Sequence, residues 1–241
     1  MLKTDGAVPA PEIILENDNF IFDLYGTLID VHTDEHADKT WKQWIEYLDK
    51  KGIIHPELSV FREDFFELDR TYREKPTPFD VPEIDVLDVY AELFERYGNT
   101  AVARDELYEI SYAFRTFSTD YIRLFPNVTE FLTALGKAGK RVFLLSNAQR
   151  SYTFPELLRF GLIPLFDDYM ISSDCKCMKP DRAFFDKLIL KNGLDRNKTV
   201  MFGDSPESDV KGAQNAEIKA VHLSGDSHPL RLYGELLKLL R

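Results

Sequence analysis

The stretch Phe20-Ile21-Phe22-Asp23-Leu24-Tyr25-Gly26-Thr27-Leu28-Ile29-Asp30 decides how the rest of the chain is read. Phe20, Ile21 and Phe22 form a short apolar run with strong strand preference, and such a run bounded by turn residues marks a buried strand. It ends abruptly in Asp23, followed by a glycine that permits a sharp turn and by Thr27, whose hydroxyl can hold that turn. In an open parallel sheet the C-terminal strand ends form the ligand crevice, which places Asp23 where chemistry occurs. On its own the carboxylate is more simply a turn residue. Three distant segments change that reading.

Downstream, the chain alternates between apolar strands and helices. Val142 to Leu145 runs into Ser146-Asn147, Tyr169 to Ile171 into Ser172-Ser173, and Val200 to Phe202 into Gly203-Asp204, with Ala220 to Leu223 as a further strand. Helical stripes surround Val128 to Leu135, Leu157 and Leu158, and Phe184 to Ile189. Alternating elements with apolar strands predict an α/β fold, a doubly wound, Rossmann-like parallel sheet flanked by helices. Asp23, Ser146 and Asp204, with Lys179 on an intervening loop, then converge on one sheet edge.

Between the first strand and this series lie four apolar stripes at helical spacing. They are Trp41 to Leu48, Phe61 to Tyr72, Val86 to Tyr97 and Leu107 to Phe117. They predict an inserted four-helix cap domain over residues 33–120, with residues 1–32 plus 121–241 as the core. The aromatic stripes are expected to form the interior of this bundle, one end of which lies over the strand ends as a lid. Residues 1–19 are expected to be a loose arm with a short edge strand at Ile13 to Leu15.

Composition narrows the partners. The chain has 241 residues, 44% of them hydrophobic, and a formal net charge of -11. That charge disfavours nucleic acid and anionic membranes. No apolar run approaches the roughly 20 residues of a membrane-spanning helix, so a cytoplasmic protein is expected, monomeric or homodimeric. The two cysteines, Cys175 and Cys177, are poorly spaced for a disulfide and read as reduced thiols.

Taken together, the motifs resemble those of the haloacid dehalogenase superfamily of hydrolases. Asp23-Leu24-Tyr25-Gly26-Thr27 is similar to the nucleophile motif, Leu145-Ser146-Asn147 to the second, Lys179-Pro180-Asp181 to the third, and Gly203-Asp204-Ser205 through Asp209-Val210 to the fourth. The likeness implies that Asp23 forms a covalent intermediate which water hydrolyses. It implies that Ser146 binds the transferred group and that Lys179 neutralises charge. Asp23, the backbone carbonyl of Tyr25, Asp204 and Asp209 become the expected Mg²⁺ site. Thr27, Asn147 and Arg62 are the expected contacts to a small anionic substrate.

Two clues conflict over the reaction. Phosphatases of this family carry an acid two residues after the nucleophile, whereas this chain has Tyr25, as 2-haloacid dehalogenases do. Asp204 and Asp209 point the other way, because three carboxylates in one crevice raise one another's pKa unless a cation joins them. A magnesium-dependent small-molecule phosphatase is therefore the first expectation. A metal-independent 2-haloacid dehalogenase is the alternative, and a catalytically weak binding or regulatory protein a third. His32 is either a substitute proton donor or a loop residue at the cap hinge.

Overall fold

A computed structural model of the chain describes residues 12–99, 102–225 and 228–240. Its centre is a five-stranded sheet in the order β5-β4-β1-β6-β7, formed by β1 (Asn19–Phe22), β4 (Arg141–Ser146), β5 (Asp168–Ile171), β6 (Thr199–Gly203) and β7 (Lys219–His222). Every pairing within it is parallel. The central position of β1 follows from its sequence: all four of its residues are buried, so it needs cover on both faces.

Alternation along β1 assigns the faces. Phe20 and Phe22 pack with α6 (Val128–Lys137), α11 (Pro229–Leu239) and the buried side of the short helix α1 (Glu12–Glu16). Ile21 points oppositely, towards Phe184, Phe185, Leu188 and Ile189 of α9 (Arg182–Asn192) and Ala213 of α10 (Lys211–Asn215). The segment Ile13 to Leu15 is thus helical rather than an edge strand. Ile13 and Ile14 enter the core, Leu15 is left 75% exposed, and Asn17 Nδ2 donates to the Ile13 carbonyl. A run of three apolar residues does not by itself separate helix from strand. The remainder of the expected arm, residues 1–11, lies outside the described residues.

The sequence also concealed an antiparallel ribbon. Beyond the Asp23 turn, β2 (Ile29–Thr33) pairs with β3 (Thr119–Leu124), joining Ile29 to Leu124 and His32 to Tyr121. Between these strands lie α2 (Asp38–Lys51), α3 (Leu58–Arg73), α4 (Val86–Arg96) and α5 (Arg104–Ser118). Their apolar stripes meet in an interior of their own, where Trp41 and Trp44 pack edge-on at 5.4 Å and Trp44 meets Phe114 at 5.0 Å. Burying each such ring contributes on the order of 2 kcal/mol. α2 closes at Gly52 with φ of 75°, a left-handed conformation that glycine adopts without penalty.

Hydrogen bonds stitch these helices to the sheet's upper edge. The Met178 amide donates to the Val81 carbonyl at 3.1 Å, and the Asp181 carboxylate accepts from the amides of Asp80 at 2.9 Å and Val81 at 3.2 Å. The Gln149 side chain accepts from the Val86 amide and donates to the Ile84 carbonyl, both at 2.9 Å. Among the described residues no helix is long and apolar enough to cross a membrane.

Candidate active site

The end of β1 sets the site. The Asp23 amide still donates to the Phe202 carbonyl at 2.9 Å, so the carboxylate is fixed by the ladder itself. The chain then doubles back, with the amides of Leu28 and Ile29 both donating to the Leu24 carbonyl. Gly26 has φ of +82°, and a methyl group there would run into the Asp204 carboxylate. Thr27 is buried in the turn; its Oγ1 donates to Asp204 Oδ1 at 3.2 Å, and its carbonyl accepts from the Tyr233 hydroxyl of α11 at 2.9 Å.

Three further strand ends or loops deliver the remaining groups. Lys179 is buried, and its Nζ lies 2.5 Å from Asp23 Oδ1 and 2.7 Å from Asp209 Oδ1. Its loop is held by Asn147, whose amide side chain donates to the Lys179 carbonyl at 2.9 Å and accepts from the Lys179 amide at 2.8 Å. Asp209 Oδ2 accepts from the Ser205 amide at 3.0 Å, and Gly203 is bare because a side chain there would occupy the Asp209 carboxylate. Ser146 is fully buried at the end of β4, and its Oγ has no hydrogen-bond partner among the described residues. A buried hydroxyl left unpaired is costly, so this one is available to a ligand oxygen or to water.

Electrostatics describe the same centre. Burial, joined by the charges of Asp209 and Asp204 and opposed by Lys179, pushes Asp23 up to about 7. Burial and then Asp209 also raise Asp204. For Lys179, burial works against the ammonium, but Asp23 and Asp209 outweigh it and hold its pKa above the ordinary value. One oxygen from each of Asp23, Asp204 and Asp209 falls within 4.8 Å of the others. Three carboxylates against one ammonium leave negative charge uncompensated, and an all-oxygen donor set of this kind suits Mg²⁺.

The structure therefore brings together Asp23, Thr27, Lys179, Asp204 and Asp209, with Asn147 behind Lys179 and Ser146 at the end of β4, the strand beside β1. It does not bring Arg62 to them. That guanidinium donates to Asp38 Oδ1 at 2.9 Å and to the His36 carbonyl at 2.7 Å, and lies over the Trp41 ring, so it is engaged within the helical unit. His32 is exposed on β2, its Nδ1 2.9 Å from Asp120. The side chain of Tyr25 turns away from Asp23's partners: its hydroxyl donates to Glu156 Oε2 at 2.5 Å. Glu156, on α7 (Arg150–Arg159), in turn binds Arg115 Nε of α5 at 2.9 Å. The sequence reading missed this buried pair. A signal existed, because Arg115 falls four residues after Ser111 and eight after Leu107 on the buried stripe of α5.

A family model for haloacid dehalogenase-like hydrolases matches residues 18–217. The chain belongs to this family. Among curated proteins, it is similar to the glyceraldehyde 3-phosphate phosphatase of Methanothermobacter thermautotrophicus, at 29% identity over 105 residues; the match spans 44% of this chain and only 46% of that protein. The pyrimidine 5'-nucleotidase PynA of Streptococcus pneumoniae is 20% identical over 203 residues, covering 83% of this chain and 81% of that one. Among solved structures, the 2-haloacid dehalogenase from Pseudomonas syringae pv. Tomato DC3000 aligns with a TM-score of 0.59 over 92% of this chain and 98% of that one. At 19% identity that likeness is one of fold alone.

Proposed function

We propose that this protein is a magnesium-dependent hydrolase of small phosphomonoesters, acting through a covalent intermediate on Asp23, with residues 33–120 as its cap. The observation that carries the reading is the meeting of Asp23, Asp204 and Asp209 around one point with Lys179 against them. Asp23, Asp204, Asp209 and the Tyr25 carbonyl would hold Mg²⁺, which when bound neutralises the carboxylates and withdraws charge from a phosphoryl oxygen.

The chain's own groups do the rest. A carboxylate oxygen of Asp23 attacks phosphorus as the bond to the leaving oxygen breaks, and water then cleaves the aspartyl phosphate, releasing phosphate and restoring Asp23. Lys179 favours the ionised form of Asp23 and aims it, while Asn147 fixes the Lys179 backbone. Ser146 Oγ, without a partner among the described residues, donates to an oxygen of the phosphoryl group.

A second reading, metal-independent 2-haloacid dehalogenation, is favoured by one observation: Tyr25 stands where an acid would protonate a departing alkoxide. Assays with 4-nitrophenyl phosphate and 2-chloropropionate separate the two. Phosphate release abolished by EDTA, restored by Mg²⁺ and absent from Asp23→Asn supports phosphoryl transfer. Chloride release indifferent to EDTA supports dehalogenation, and neither product supports a binding role.

A further inference from the structure

Lys179 reaches the acidic centre from a loop, residues 176–181, between α8 (Ser172–Cys175) and α9. No strand of the central sheet runs through that loop, so its shape is set by neighbours outside the ladder. On one side Asn147 holds the backbone of Lys179 itself. On the other, the holding groups come from the connection between α3 and α4, residues 74–85, which belongs to the helical unit.

This connection runs antiparallel to the Lys179 loop, with Pro82 opposite Cys177. The Glu83 amide donates to the Lys176 carbonyl and the Met178 amide to the Val81 carbonyl, both at 3.1 Å. Phe79 packs against the apolar cluster that contains Cys177 and the buried face of α9. The buried Glu83 carboxylate accepts at 3.0 Å from Ser172 Oγ, which in turn accepts from the Ala148 amide at 2.8 Å. One segment of the helical unit is thereby tied both to the loop that carries Lys179 and to the loop that carries Asn147.

Asp181 closes the seam with two oxygens in different uses. Its Oδ1 accepts from the Ala183 amide at 2.8 Å and caps α9. Capping needs only one oxygen. The other, Oδ2, accepts from the amides of Asp80 at 2.9 Å and Val81 at 3.2 Å, on a residue that is 6% exposed. Two positions earlier in the chain, Lys179 Nζ lies 2.5 Å from Asp23 Oδ1 and 2.7 Å from Asp209 Oδ1. Misplacing such a group by about 1 Å costs on the order of 10²-fold in rate.

We infer that Asp181 is a positioning residue: its Oδ2 clamps residues 80 and 81 of the helical unit to the Lys179 loop and so holds the Lys179 ammonium against Asp23. The inference rests on the phosphatase reading and adds to it a residue that acts through Lys179 without touching substrate.

Asp181→Ser separates the two oxygens, because a serine hydroxyl still caps a helix but does not receive both amides of the connection. Asp181→Ala removes both. With 4-nitrophenyl phosphate, kcat is expected to fall about tenfold or more in both variants while KM stays within about threefold. Lys179, buried in the native chain, is expected to be acetylated by acetic anhydride about tenfold faster in both, read by mass spectrometry.

Wild-type kcat in Asp181→Ser reduces Asp181 to a helix cap and overturns the inference. A fall in kcat with Lys179 labelled at the wild-type rate also overturns it, because the loss then runs through another group. Should the wild-type protein hydrolyse no phosphate ester, the phosphatase reading fails and labelling alone decides the clamp: faster labelling in Asp181→Ser upholds it, and equal labelling removes it. Should neither variant fold, hydrogen exchange of the wild-type chain decides. The amides of Asp80, Val81, Glu83 and Met178 are expected to exchange together with that of Lys179, and exchange about a hundredfold faster than Lys179 would show that the connection opens without moving the loop.

Discussion

The hydroxyl of Tyr25 lies 2.5 Å from Glu156 Oε2, and the same carboxylate is bound by Arg115, so the turn after the nucleophile is tied to a helix of the sheet layer and to one of the covering helices. The phenol proton is committed to Glu156 and is not free to protonate a departing oxygen. Leaving groups that need no proton should therefore react fastest. Aryl and acyl phosphates are expected to exceed unactivated alkyl phosphates in kcat by about 10²-fold or more, the usual contribution of a general acid. A plot of log kcat against leaving-group pKa checks this, and a flat plot would contradict it.

Arg115 is nearly fully buried between the Glu156 carboxylate and the rings of Tyr25 and Tyr152, 5.0 and 4.6 Å away. Arg115→Met leaves Glu156 buried without its cation, and the expected loss of stability is roughly 3–5 kcal/mol. Adding Glu156→Gln to that variant should recover a substantial part. Urea unfolding of the two single variants and the double variant measures the coupling.

Gly26→Ala forces a side chain into the Asp204 carboxylate from a backbone with φ of +82°. Displacing that carboxylate should weaken Mg²⁺ binding and lower turnover by about a hundredfold, as small misplacements of a reacting centre do. Calorimetric titration with Mg²⁺ follows the first effect separately from the second. Wild-type affinity in the variant would show that Asp204 is not held as described.

Alkaline pH should loosen the fold through Tyr152, whose phenol is pushed up to about 12, chiefly by burial. In the unfolded chain it ionises near 10. Below that pH its contribution is complete. As pH rises from 10 towards 12 the unfolded state sheds a proton that the folded state retains, so stability falls across this window. Denaturant midpoints between pH 9 and about 12 should drop less steeply in Tyr152→Phe.

Asp23, Ser146 and Asp204 were legible in the sequence because each ends or follows an apolar run, and strand ends in a parallel sheet share one edge, while Lys179 was legible only from the loop that joins two such runs. Helices α2 to α5 were legible from their own periodicity, since Trp41, Phe65, Tyr90 and Phe114 fall on unbroken stripes. The ribbon was not. Ile29-Asp30-Val31-His32 and Ile122-Arg123-Leu124 do alternate, but β3 is half-buried or exposed throughout, β2 is buried only at Ile29, and their pairing joins positions some ninety residues apart. Glu156 escaped because a carboxylate on a helix ordinarily faces water, and only its neighbours Arg115 and Tyr25 make its burial tolerable.

Because β2 and β3 lie side by side, the polypeptide departs from the sheet and rejoins it through a single doorway. Whatever hangs on that doorway leaves the strand order β5-β4-β1-β6-β7 intact. Changes of length or side chain among α2 to α5 can therefore be made without re-threading the strand ends that carry Asp23, Ser146 and Asp204.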